Sequence, residues 1–168
     1  MRRFMFAWGR MSFLEWLEQT DFGTWVGESL WAYPFFETMH TIGMAMVIGS
    51  LGLINLRVLG YKSDLPIFAT QKLLPLAWIG FTMNLVSGLS LFASDAQHFW
   101  HSYTFRVKLV LIILGGINAA ILSRRVFQEP AAGAPPVVPT SGLKWIAASS
   151  LVFWFGAICA GRLIAYLP

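Results

Sequence analysis

Four long apolar runs, separated by short polar connectors, dominate the chain. They cover residues 34–59, 73–93, 105–123 and 143–163. Each has the roughly 20 apolar residues that a helix needs to cross a hydrocarbon core about 30 Å thick. Because unpaired backbone groups are costly in lipid, the runs are predicted to be helices, and short connectors make sequential helices antiparallel. The pattern predicts an all-α polytopic membrane protein, an antiparallel up-down four-helix transmembrane bundle, over residues 33–168.

A shorter amphipathic pattern precedes the first run. Residues 1–32 place an apolar stripe beside acidic positions, which is typical of a helix lying in the membrane interface. No compact apolar core with a small-residue cleavage site follows the first arginines, so we predict an interfacial segment of the mature fold rather than a signal peptide. The stripe is Phe13, Leu14, Trp16 and Leu17, the acids are Glu15, Glu18 and Asp21, and Trp25 and Trp31 are predicted headgroup-level anchors.

Composition excludes an ordinary soluble domain. The chain is 57% hydrophobic and only 12% charged, with a formal net charge of +4. These values are typical of a membrane protein, and the lipid bilayer is the predicted partner. The basic charges mix with acidic ones at the ends of the runs, so they give no support for nucleic-acid binding.

The twelve Lys and Arg residues divide evenly between the two ends of the predicted bundle. Arg2, Arg3 and Arg10 lie about twenty or more residues before the first run, beyond the range in which positive charge best controls insertion. We therefore predict cytoplasmic connectors in a bacterial inner membrane, with the termini and the histidines on the periplasmic side. The basic residues of the connectors are Arg57, Lys62, Lys72, Arg124, Arg125 and Lys144.

All three histidines are predicted to lie at one end of the bundle. His40 is about two turns into the first run, whereas His98 and His101 lie where the second and third runs meet. An ionisable side chain within a span is by default a functional hypothesis, because stranding it in lipid costs several kcal/mol. The alternative is a histidine that only hydrogen-bonds a neighbouring helix.

The helix face that carries His40 contains further candidate residues. Glu37 lies one turn earlier, where its carboxylate is predicted to orient the imidazole or share an ion with it. Gly43 lies one turn deeper and is predicted to leave space for a flat cofactor. Because sequential helices are predicted to be antiparallel, three cations are expected at the same end of the bundle as His40: Arg106, Lys108 and Arg162.

Imidazoles on neighbouring helices with cations nearby are typical of a b-type haem, because imidazoles ligate the iron axially and cations neutralise the propionates. We predict one haem b, ligated by His40 and by His98 or His101, with Arg106, Lys108 and Arg162 near the propionates. The competing cofactor is copper. Thioether and imidazole suit that metal, and Met39, Met44 and Met46 lie near His40, although only Met44 shares its face.

Other polar and small residues within the runs are predicted to serve packing. Asn55, Asn84 and Asn118 are expected to hydrogen-bond across the bundle, and Gly80 and Gly88 flank Asn84 in a stripe that permits close helix approach. These asparagines are also the one polar path that a transporter of this sequence would offer. No zinc-protease or nucleotide-binding motif occurs.

Motifs at the ends of the runs carry a family resemblance. These motifs are Glu37-Thr38-Met39-His40, the sequence Asn55 to Gly60, Phe105 to Lys108, and Gly161 to Tyr166. With them the chain resembles an uncharacterised family of small bacterial four-span membrane proteins, which implies the fold and an inner-membrane location. In architecture it is also similar to four-helix b-type cytochrome membrane subunits and to copper-resistance membrane proteins.

Three classes of function are compatible with these patterns. The leading prediction is a membrane redox protein, a haem-binding subunit that passes electrons between a redox partner protein and membrane quinone. The second is a non-catalytic anchor or accessory subunit of a larger complex, and the third is copper or other metal handling or transport. Assembly as a homo-oligomer or as a complex subunit stays open.

Overall fold

The computed structural model describes residues 12–61, 64–127 and 139–166. Four of its helices are long and apolar enough to cross a membrane, so the predicted all-α polytopic fold is confirmed. Arg2, Arg3, Arg10 and Lys62, which entered the prediction of orientation, lie outside the described residues. The elements are α1 (Phe13–Glu18), α2 (Asp21–Glu28), α3 (Ala32–Leu59), a 3₁₀ helix (Ile67–Leu73), α4 (Leu74–Ser94), α5 (Ala96–His101), α6 (Tyr103–Val126) and α7 (Ser141–Leu163).

Local capping chemistry explains where the helices begin and end. Ser12 and Glu15 form a reciprocal capping box at the start of α1, and the hydroxyls of Thr20, Ser102 and Thr140 accept a backbone N–H at the starts of α2, α6 and α7. Helix α3 ends before Gly60, whose φ of 106° is the left-handed conformation that glycine adopts readily. The spans therefore begin and end within a few residues of the predicted bounds. The second span is the exception, because it includes the 3₁₀ helix and so begins earlier than predicted.

The apolar stripe forms the predicted helix, α1, and a second short helix, α2, follows it. The Thr20 side chain accepts from the Gly23 backbone N–H and so starts a second helix directly after the first. Both helices pack on the bundle. Val26 is fully buried, and the Glu18 carboxylate accepts hydrogen bonds from the backbone N–H and the side-chain amide of Gln97, at 2.7 and 3.0 Å. The segment is thus tied to α5.

We call the end of the bundle where α3 and α6 begin the histidine end, and the opposite end the connector end. Helices α3 and α4 pack closely, as do α6 and α7, and α3 also contacts α7. Within the described residues, α4 and α6 approach each other much less closely. The main apolar core lies towards the connector end and comprises Val47, Leu51, Ile54, Val58, Ile67, Ala77, Leu122, Val126, Phe127, Leu143, Ala147 and Trp154.

Polar contacts between spans match two of the three asparagine predictions. The Asn55 side-chain amide donates to the Ser150 hydroxyl at 3.1 Å, and the Asn118 amide donates to the Ser149 hydroxyl at 2.8 Å. No such contact from Asn84 occurs among the described residues, where the side-chain carbonyl oxygens of both Asn84 and Asn55 are buried without a hydrogen-bond partner. The first two contacts hold α7 to α3 and to α6.

Candidate functional site

His40 lies between α3 and α4 at the histidine end. Its Nδ1 is 2.9 Å from the Ser87 hydroxyl oxygen. The ring also lies against Gly88, where an added Cβ would come within 3.2 Å of the imidazole Cε1. The absence of a side chain at Gly88 is therefore what gives the imidazole its place between the two helices.

The hydrogen bonds around Ser87 determine which nitrogen of His40 carries a hydrogen. The Ser87 hydroxyl donates to the Met83 carbonyl oxygen at 2.6 Å. A hydroxyl has a single hydrogen, so Ser87 has none left to donate and accepts from His40 instead. His40 Nδ1 is thereby assigned as the N–H donor. In the neutral ring, Nε2 keeps its lone pair and is free to accept a hydrogen bond or bind a metal.

Lys108 supplies a cation at the same end from α6. Its ammonium lies over Gly161 of α7, with Nζ 3.4 Å from the place that a Cβ would occupy there. The side chain is half-buried. In the part of the chain that the structure describes, it makes no hydrogen bond or ion pair. A half-buried cation without an acceptor favours an oxygen-bearing ligand.

His40 and Lys108 thus come from two different helix pairs, α3 with α4 and α6 with α7. The gap between α4 and α6, which we call the seam, is bridged at the histidine end by aromatic rings. Phe92 and Phe105 stack with ring centroids 5.6 Å apart and an interplanar angle of 13°, and Phe99 of α5 contacts both rings. The seam consequently has an aromatic cap at the histidine end.

The other two histidines occupy a different environment. The segment that carries His98 and His101 is helical, α5, and both side chains are exposed. His101 Nδ1 donates to the Gln97 carbonyl oxygen at 2.8 Å, and the His98 ring meets the edge of Phe99. Across residues 12–61, 64–127 and 139–166, no hydrogen bond or ring contact joins either imidazole to His40.

Two predicted roles on the His40 face are wrong. Glu37 is exposed and does not orient the imidazole, because Ser87 makes that contact. Gly43 leaves no space for a flat cofactor: a Cβ there would lie 2.8 Å from the Gly80 carbonyl oxygen, so the glycine serves the close approach of α3 and α4. Ser87 did carry a sequence signal, since it adjoins the small-residue stripe predicted to face a neighbouring helix.

The three predicted cations also separate. Arg106 and Arg162 are exposed, and Arg106 donates to the His101 backbone carbonyl oxygen at 3.4 Å. Lys108 alone among the three is half-buried. The predicted cluster at the histidine end therefore reduces to His40 with Ser87 on one side and Lys108 on the other.

These residues would supply a ligand to only one face of a bound haem. His40 Nε2 has the lone pair that iron needs, and Lys108 suits a propionate, but the paired imidazole is exposed on α5 and the space at Gly43 is closed. A bis-histidine haem does not fit this donor set. For copper, the described residues contain no group of three or more His, Cys, Asp or Glu side chains able to hold a metal ion.

Comparison with known proteins adds no relative. No family model, no curated protein and no solved structure matches the chain. The resemblance of the span-end motifs to small bacterial four-span membrane proteins stays a prediction. A functional proposal for the chain therefore starts from the chemistry of His40, Ser87 and Lys108.

Proposed function

We propose that the chain is a membrane redox subunit that binds a quinone at the histidine end and exchanges electrons between that quinone and a redox partner protein. One observation carries the proposal. His40, whose imidazole Ser87 holds through Nδ1, and Lys108, whose ammonium makes no hydrogen bond or ion pair among the described residues, come from the two helix pairs at the histidine end.

The chemistry of a quinone matches this pair. A quinone is an apolar ring that partitions into lipid, and it carries polar oxygens at opposite edges. Lys108 donates a hydrogen bond to one oxygen, while His40 Nε2 accepts from the hydroxyl of the reduced form. Oxidation of a quinol releases two electrons and two protons. The electrons pass to the partner protein, His40 Nε2 accepts one proton, and water at the histidine end takes the other.

A b-type haem at the same imidazole is the second candidate. The lone pair on His40 Nε2 supports it, because that is the atom through which histidine ligates iron. Ser87 would then hold the ring orientation, as hydrogen bonds to the second nitrogen do in metal sites, and Lys108 would pair with a propionate. A bound haem would supply one-electron transfer.

A purified sample separates the two candidates. We expect solvent extraction of the detergent-purified protein to yield about one quinone per chain, and Lys108→Gln to reduce that yield. The matched control is Arg106→Gln, which removes an exposed cation from the same helix. A Soret band with an alpha band under dithionite, lost in His40→Ala, would select haem instead. Folded protein with neither quinone nor haem would overturn the redox proposal.

The proposal includes a place for the subunit in a larger assembly. Helix α6 packs mainly on α7 and is the least buried of the four spans, which supports a lipid or partner-helix contact along its outer side. The charges at the connector end support a bacterial inner membrane with the histidine end facing the periplasm, since Arg124 and Arg125 lie in the last turn of α6.

A further inference from the structure

We infer that the His40 site binds reduced quinol more tightly than oxidised quinone, and that Ser87 is the positioning residue that sets this preference. The inference rests on the proposed quinone site and goes beyond it, because it assigns a direction to every hydrogen bond there. The preference arises from which atoms at the site bear hydrogens.

The chain of hydrogen bonds begins at a backbone carbonyl. Ser87 Oγ lies 2.6 Å from the Met83 carbonyl oxygen, and two oxygens this close need a hydrogen between them. The serine hydrogen is therefore committed to Met83. Ser87 is fully buried, so no competing water reorients its hydroxyl. His40 Nδ1, at 2.9 Å, must be the donor to Ser87, and Nε2 presents a lone pair to the ligand.

A lone pair at Nε2 distinguishes the two redox states of a quinone. The quinol has a hydroxyl hydrogen that it donates to Nε2. The oxidised quinone has only carbonyl oxygens, whose lone pairs oppose the lone pair of the imidazole. A net hydrogen bond of typical strength gives a roughly three- to tenfold preference for the quinol, or about 0.6–1.4 kcal/mol.

Lys108 does not contribute to this discrimination. An ammonium has three hydrogens and no lone pair, so it donates equally well to a carbonyl oxygen and to a hydroxyl oxygen. Its contact supplies affinity for both redox states. Lys108 thus binds either redox form of the quinone, whereas the His40 imidazole binds the reduced form more tightly.

The test measures the affinities of the full chain, in lipid nanodiscs under anaerobic conditions, for decylubiquinol and decylubiquinone. Quenching of tryptophan fluorescence reports binding. The wild-type chain is expected to favour the quinol roughly three- to tenfold. Ser87→Ala removes the side-chain acceptor of the Nδ1 hydrogen, and the ratio of the two affinities should fall towards one.

Ser90→Ala is the matched control. Ser90 is also a buried serine of α4 that donates to the carbonyl four residues earlier, at 2.9 Å from Val86, but it does not contact His40. It should keep the wild-type ratio. His40→Gln, whose amide both donates and accepts, should bind both forms with a ratio near one. Lys108→Gln should weaken both forms by the same factor.

Each outcome decides between the inference and the proposed function. Equal wild-type affinities for quinol and quinone would overturn the redox preference and leave the quinone site in place. Binding of neither form would overturn both. A ratio that falls equally in Ser87→Ala and Ser90→Ala would show that α4 packing, not the hydrogen-bond chain, sets the preference, and would remove Ser87 from its assigned role.

Discussion

At the scale of single residues, a neutral serine rather than a carboxylate orients the imidazole. A carboxylate beside Nδ1 would favour the charged imidazolium, which has hydrogens on both nitrogens. Ser87 is an uncharged acceptor that assigns the hydrogen of the neutral ring to Nδ1, because its own hydrogen is already bound to the Met83 carbonyl. The exposed Glu37 leaves that arrangement undisturbed. The result is an acceptor atom near the membrane surface rather than a second cation beside Lys108.

Gly88 gives a direct test of how the ring is housed. Gly88→Leu should push the imidazole out from between α3 and α4, because even a Cβ there lies 3.2 Å from Cε1. We expect loss of quinone binding and a fall of about 1–3 kcal/mol in unfolding free energy. Gly49→Leu, at a helix position with open space, should change neither. Unchanged quinone binding in Gly88→Leu would exclude His40 from the site.

At the scale of elements, glycine in a membrane helix has two opposite meanings. It leaves space for a ligand or lets a second backbone approach, and the sequence does not distinguish them, because the difference depends on how the helices are rotated about their axes. The sequence predicts that Gly43 leaves space for a ligand, whereas in the structure it lets the backbone of α4 approach. The spans and their caps were predictable, since apolar length and local side chains determine them. Ser87 as the partner of His40 required the relative register of α3 and α4.

The close approach of α3 and α4 predicts an asymmetric response to a single methyl group. Gly43→Ala places a Cβ 2.8 Å from the Gly80 carbonyl oxygen, a backbone atom that cannot turn aside. The clash should outweigh the gain in helix propensity and lower stability by about 1–2 kcal/mol. Gly52→Ala, with open space around it, should be neutral or slightly stabilising. Thermal unfolding in mild detergent measures both, and equal midpoints would contradict this packing.

The contact between α1 and α5 predicts a local effect. Glu18→Ala removes the acceptor of two Gln97 hydrogen bonds, so α1 should open more readily, by about 1–3 kcal/mol, while the spans stay folded. Hydrogen exchange of α1 and α5 backbone amides measures this, with Glu28→Ala, an exposed acid of α2, as the control. Unchanged exchange in Glu18→Ala would mean that apolar packing alone holds the segment.

At the scale of the whole molecule, the two ends are chemically different. The connector end holds the main apolar core, and the histidine end holds the half-buried polar side chains and the docked N-terminal helices. The sequence predicts that the histidines share one end, because antiparallel tracing requires it. It does not predict that His40 is separated from His98 and His101, because that follows from how α5 lies across the end.

The proposed sidedness, with the histidine end in the periplasm, can be tested by chemical labelling. In a Cys159→Ser background, Gln19→Cys places a thiol at the histidine end and Thr140→Cys places one at the connector end, both at exposed positions. A membrane-impermeant maleimide should label the first in cells with a permeable outer membrane, and the second only after lysis. The reverse pattern would place the histidine end in the cytoplasm.

The weak contact between α4 and α6 has a mechanical consequence. The two hairpins, α3 with α4 and α6 with α7, contact each other along one side of the bundle, through α3 and α7. The proposed ligand, bonded to both His40 and Lys108, would connect the two hairpins on the opposite side. Because this ligand would bind the folded chain and not the unfolded chain, a higher ligand concentration should raise the unfolding temperature.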